Sequence, residues 1–212
     1  MPFVRMELAV FTVLDGRLQV LFGRRARAPY PGRRALPGGV LRIDLDQDLE
    51  VACRRVALER LGTTLGQVWQ VGAEGAKKRD PRAPWTLSIV YRGLIQDGVV
   101  AASPGKRLEA LMSEPADAAA ESTALAFDHP ALVGRATQAT RDDVQALRFP
   151  RSLLPAVFTL GYLQSVSEAV LGRALDKSSF RRRLDDAGCV EPVEVALRTG
   201  AFRPAQLYRL AK

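Results

Sequence analysis

The stretch that decides the fold runs Leu36-Pro37-Gly38-Gly39-Val40 and resumes, after an intervening segment, as Arg55-Val56-Ala57-Leu58-Glu59-Arg60-Leu61-Gly62. Between these segments Leu49, Ala52, Cys53 and Val56 recur at three- and four-residue spacing while Glu50, Arg54 and Arg55 face elsewhere. That periodicity predicts a helix from about Asp48 to Leu61, and Gly62 stands where its C-cap belongs. Upstream, the apolar runs Met6 to Leu14 and Arg17 to Phe22 flank Asp15-Gly16, a hairpin signal. Ala28-Pro29-Tyr30-Pro31-Gly32 then reads as a loop. Downstream, Val68 to Val71 and Trp85 to Ile95 read as strands, the second rich in β-branched and aromatic residues. They enclose a basic loop, Lys77-Lys78-Arg79-Asp80-Pro81-Arg82.

The 212 residues carry 31 basic against 23 acidic side chains, a net +8 that points to an anionic partner. Half of that excess falls in residues 141–212, where the charge is denser. No run approaches the roughly 20 apolar residues that span a membrane, and no signal pattern opens the sequence. The chain therefore reads as a soluble cytoplasmic protein without a membrane partner. Cys53 and Cys189 are isolated, so neither disulfide nor zinc is expected. The single histidine, His129, leaves little scope for histidine-based catalysis. The acidic, alanine-rich segment Glu114 to Glu121 is expected as a surface helix or loop, and Phe127-Asp128-His129-Pro130 as a turn opening a helix towards Leu147.

The Gly-Gly segment and its helix resemble the Nudix box, the signature of enzymes that cleave nucleoside diphosphates linked to another moiety. In that family an Arg-Glu-x-x-Glu-Glu run holds magnesium against a pyrophosphate. Laid on this sequence, the arginine falls on Arg55 and the glutamate positions on Val56, Glu59 and Arg60. Magnesium requires hard oxygen ligands. Valine supplies none, and arginine places a fixed cation where the metal belongs. The resemblance implies an α/β Nudix fold, an α/β/α sandwich on a mixed sheet, that binds a nucleotide-like ligand without cutting it and needs no metal or other cofactor. Arg60 is expected to hold the phosphate directly. Gly38, Gly39, Arg55 and Glu59 are the other ligand candidates of the box. Arg79 and Arg82 join them because a similar Arg-Asp-Pro segment occurs in Nudix proteins that handle ADP-ribose, although a solvated hairpin is the alternative. A basic residue at the end of the second strand, Arg24 or Arg25, is assigned on the same resemblance, and Arg25 is taken here.

The C-terminal segment carries the second function. Thr159 caps a helix whose stripe is Leu160, Leu163, Val166, Val170 and Leu171, ended by Gly172. Asp176 caps a second helix, through Phe180-Arg181-Arg182-Arg183-Leu184 to Gly188. Two short helices across a glycine turn outline a helix-turn-helix. Lys177, Ser178, Ser179, Arg181, Arg182 and Arg183 are suited to base edges and phosphates. Cys189 to Leu197 and Ala205 to Leu210 are expected to pair as a wing across a basic turn that contains Arg203; Thr159 and Arg203 complete the DNA-contact candidates. A single-stranded RNA platform is disfavoured by the lack of interleaved aromatics.

Taken together, the Nudix-like residues 1–140 and the winged helix at 141–212, with Leu171-Gly172-Arg173, Leu175-Asp176-Lys177, Phe180-Arg181-Arg182-Arg183 and Leu207-Tyr208-Arg209, resemble the Nudix-related transcriptional regulators, several of which control NAD metabolism genes. The resemblance implies a homodimer on palindromic double-stranded DNA, with an ADP-ribose-like effector altering its grip. The competing class is a magnesium-dependent Nudix hydrolase with a basic appendage, in which Glu50 and Glu59 hold the metal with help from Asp46 or Asp48.

Overall fold

The computed structural model describes residues 3–96, 111–193 and 205–211. Its first unit is organised by β1 (Phe3–Leu14). This strand turns at Asp15-Gly16 into β2 (Arg17–Arg24), with Leu14 paired to Arg17. Both turn residues sit at positive φ, 50° and 68°, as a two-residue hairpin of this hand requires. Short strands β3 (Arg34–Ala35) and β4 (Gly38–Val40) follow, then helix α1 (Leu49–Leu61). Asp48 caps α1 by accepting from the Val51 N–H, and Gly62 closes it in the left-handed conformation.

The sheet continues through β5 (Val68–Lys77), β6 (Trp85–Leu94) and β7 (Leu111–Pro115). Strand order is β3-β2-β1-β6-β5, with β4 also on β1 and β7 on β2. The sheet is mixed, because β1 and β6 run parallel while the other pairs are antiparallel. Two expectations are corrected here. Part of the acidic, alanine-rich segment is strand β7, which pairs with β2 before the short helix α2 (Ala116–Ala120) begins. The strand starting at Val68 also reaches Lys77 rather than Val71.

Alternation along β1 creates the layers. Met6, Leu8 and Val10 face α1 and pack with Ala52, Cys53, Val56, Ala57 and Leu61. Ala9 and Phe11 face the other way, into a core shared with α2 and α3 (His129–Gln145). These are the two helix layers on one mixed sheet that the Nudix resemblance implies.

Beyond α3, β8 (Phe158–Thr159) leads into α4 (Leu160–Leu171), α5 (Lys177–Ala187), β9 (Val190–Val193) and β10 (Leu207–Leu210). The order β8-β10-β9 forms a small antiparallel sheet beside the two helices, a winged helix. The wing turn, Arg203 included, lies outside the described residues. Leu163, Val170, Phe180 and Leu184 belong to the same buried cluster as α3 and the sheet, so the two units share one core. The expected boundary at 140/141 falls inside α3, a continuous helix.

Gly39 lies where a Cβ would stand 2.8 Å from Val56 Cγ2, closer than packed carbons tolerate. Gly39→Ala should lower unfolding free energy by about 1–3 kcal/mol through overpacking, and Val56→Ala should recover part of that loss. A urea double-mutant cycle reads the coupling, and simple additivity would place the strain elsewhere.

Candidate functional site

The odd face of β1 carries Arg5 and Glu7 into the interior. Their side chains are only 11% and 4% exposed, and Arg5 Nε donates to Glu7 Oε1 at 2.8 Å. The β6 register sets Thr86 beside Phe3 and Ser88 beside Arg5. On the opposite wall, His129 at the start of α3 accepts the Leu36 N–H on Nδ1 at 2.9 Å. Burial pushes the imidazole below its ordinary value of 6.5, ahead of the opposing charge of Glu7. A neutral ring with Nδ1 as acceptor carries its proton on Nε2. Gly38, opposite Glu7 in the β4 register, has no room for a side chain, since a Cβ would meet Glu7 Oε2 at 2.1 Å.

These groups line a cleft of about 200 Å³ counted out to its mouth, closed at the sides by Arg79, Asp80, Phe127 and Asp128. Arg79 grips Asp128 with Nε and Nη2 and also donates to the Glu74 carbonyl. Arg82 pairs with Asp80. Burial pushes the Asp80 carboxyl up, but hydrogen bonds from Arg82 outweigh it and hold the group below the usual range. Phe127 adopts φ 56°, rare for a residue with a side chain. Its ring lies edge-on to Tyr30 and against His129, with the Arg25 and Arg82 guanidiniums 4.8 and 5.6 Å from its centroid. Arg25 itself donates to the Pro29 and Arg27 carbonyls. Burial, and then the nearby charges of Arg82 and Arg5, lower its affinity for its proton. An anion arriving at this rim would relieve that crowding.

The remaining box candidates gather on the α1 side. Arg55 clasps Asp46 with two bonds of 2.7 Å and reaches the Val40 carbonyl and Glu59. The Arg55 hydrogen bond holds Asp46 below the usual carboxylate range. Arg60 Nε donates to the Gly38 carbonyl at 3.0 Å. Two outward carbonyls of β4, Gly38 and Val40, are thus each taken by an arginine of α1. Val56 is fully buried against the sheet. Arg25, Arg79 and Arg82 come together with Glu7 and His129 around the cleft. The sequence had not singled out Glu7, and had set His129 aside. The available signal was a charged pair, Arg5 and Glu7, inside an otherwise apolar strand.

In the winged helix, Thr159 caps α4 by accepting from the Tyr162 N–H, and Asp176 caps α5 by accepting from the Ser179 N–H. Gln164 and Glu168 both bond to Leu175 and fix the turn between the helices. Phe180 and Leu184 point inward, while Lys177, Ser178, Ser179, Arg181 and Arg182 are exposed. Arg183 turns back, donating to the Gln145 carbonyl at the end of α3 at 2.6 Å. Arg173 donates to the Gln145 side chain. Among the described residues, no three or more His, Cys, Asp or Glu cluster in a way that could hold a metal ion, and no helix is long and apolar enough to cross a membrane.

A family model for the NrtR DNA-binding winged helix domain matches residues 150–210. The chain is 35% identical to the ADPR responsive transcriptional repressor NtrR of Acinetobacter baylyi, an alignment covering 99% of this chain and 82% of the relative. Shewanella oneidensis NrtR in complex with a 27mer DNA superposes with a TM-score of 0.80 at 28% identity, over 98% of this chain and 93% of that one. The Nudix domain of the same Shewanella protein, in complex with ADP ribose, matches with a TM-score of 0.56 at 25% identity, over 66% of this chain and 88% of that domain.

The depressed His129 predicts a pH effect. Below about pH 6.5 the unfolded chain takes up a proton that the folded chain refuses, so stability falls as pH falls. Between pH 7.5 and 5.5 the unfolded imidazole, titrating near its ordinary value, limits this loss to at most about 1.4 kcal/mol. Because His129 is the only histidine, His129→Gln should remove this slope in denaturant titrations. An identical slope in the variant would assign the titration to another group.

Proposed function

Because the chain belongs to the NrtR family of Nudix-related transcriptional regulators, we propose that it binds operator DNA through α5 and its wing, and that its Nudix domain senses ADP-ribose or a related nucleotide. One observation carries the DNA reading. Lys177, Ser178, Ser179, Arg181 and Arg182 are exposed on a helix that is anchored from behind by Phe180 and Leu184. A helix so held presents its first turns to the major groove while its cations meet phosphates. The protein acts as a homodimer in the cytoplasm, each copy reading one half of a two-fold symmetric site.

On the sensor side, the effector's phosphates sit at the cleft rim near Arg25 and Arg82, with Arg79 close by. Arg60 supports the same region through the Gly38 carbonyl. Effector binding reaches DNA through α3, which has Asp128 and His129 at the cleft and Gln145 against Arg183 of α5. DNA must then change effector affinity by the same factor. The hydrolase alternative is less favoured because the carboxylates it would recruit are already engaged. Asp46 holds Arg55, Asp48 caps α1, Glu50 pairs with Arg54, and Glu59 faces Arg55. Magnesium-dependent release of AMP from ADP-ribose, abolished in Glu59→Gln, would reinstate it.

The decisive experiment selects duplexes from a random pool with and without ADP-ribose. A two-fold symmetric site whose recovery changes with ligand is expected, and no enrichment in either condition would remove the DNA function. Replacing Arg181 and Arg182 by alanine should weaken binding and flatten its salt dependence, by roughly 0.9 in log–log slope for each phosphate the protein no longer neutralises. An unaltered slope excludes both from the phosphates.

A further inference from the structure

The floor of the cleft is chemically unfinished in a specific way. Glu7 Oε2 is fully buried and has no hydrogen-bond partner, and Thr86 Oγ1 is in the same condition. His129 Nε2 points its proton into the same space, 3.8 Å from Glu7 Oε2, too far for a direct bond. Buried polar atoms are nearly always paired, so orphans lining one cleft mark the place of a bound group.

The missing group can be specified by what each wall demands. A phosphate oxygen accepts from His129 but brings no proton to the unpartnered Glu7 oxygen, and the two bare acceptors would face each other. An ammonium donates to Glu7 but cannot accept from His129. A hydroxyl does both, and Thr86 provides for a second one next to it. We infer that the cleft floor reads the vicinal hydroxyls of a ribose, with Glu7 as its specificity-determining acceptor. The inference rests on the sensor reading above and adds an orientation to it. Sugar hydroxyls go down onto Glu7, His129 and Thr86, and phosphate stays at the rim with Arg25 and Arg82. The enclosed part of the cleft has room for about one water. A ribose therefore enters by displacing the Phe127 and Arg79 side chains that close it, which connects sugar recognition to the Arg79–Asp128 grip at the head of α3.

Calorimetric titration of the full-length protein tests this with ADP-ribose, ADP and ribose 5-phosphate. Glu7→Gln keeps an acceptor for Arg5 but turns the orphan position into a donor. Thr86→Val keeps shape and removes the hydroxyl. Each variant should retain the wild-type melting profile closely enough to be titrated, and each should lose tenfold or more in ADP-ribose affinity. A parallel loss for ribose 5-phosphate but not for ADP places the terminal ribose on the floor, and the reverse places the adenosine ribose there. Wild-type binding of ADP-ribose that survives within twofold in both variants overturns the inference alone, leaving Glu7 to a buried water. Absence of ADP-ribose binding in the wild type overturns the sensor reading itself, and this inference with it.

Discussion

Burial of β1 on both faces is the constraint on which the rest of this molecule depends. Its partners β2, β4 and β6 satisfy its backbone, and its side chains have only two places to go. One face is apolar throughout its middle and seats α1. The other begins with Arg5 and Glu7 before turning apolar at Ala9 and Phe11. Charges so deep are tolerable only when paired. Pairing Arg5 with one oxygen of Glu7 leaves the second oxygen as the polar end of a cleft. The same strand thus provides the core and, at one end, the polar floor of the cleft.

Arginine does much of the remaining joining. Arg55 and Arg60 tie α1 to β4 by its carbonyls, Arg92 meets Asp143, and Arg141 reaches the Val170 carbonyl of α4. A guanidinium suits these tasks because it stays charged and donates in several directions at once. The large basic excess therefore overstates how much positive charge is presented to a partner. Much of it is engaged inside the protein, whereas Lys177, Arg181 and Arg182 of α5 remain exposed.

Elements specified by local chemistry were legible in the sequence. Asp15-Gly16 forces a hairpin, Asp48 and Gly62 delimit α1, and Thr159, Gly172, Asp176 and Gly188 mark α4 and α5 within the positions expected. Elements specified by distant partners were not. Leu111 to Pro115 is a strand because β2 offers an edge, not because its own pattern alternates. The β5 extension to Lys77 has mostly exposed residues and is held by β6. The cleft escaped for the same reason, since Arg79 and Asp128 are 49 positions apart and His129 meets Leu36 across 93. The arginines at its rim were visible as a basic cluster, but which of them faced a carboxylate and which a carbonyl was decided only by folding.

The contacts of Val56 and Arg60 also bear on how readily such a helix can change its chemistry over generations. A glutamate arriving at position 56 while Arg60 remains would find that guanidinium one turn away, and would pair with it sooner than ligate a metal. Losing Arg60 first would withdraw the donor from the Gly38 carbonyl, with no carboxylate acquired in exchange. Val56 meanwhile fills the space over Gly39, so its replacement also disturbs the packing of α1 on the sheet. The two positions are therefore epistatic. Each single step towards a metal-binding helix carries a penalty in the background of the other.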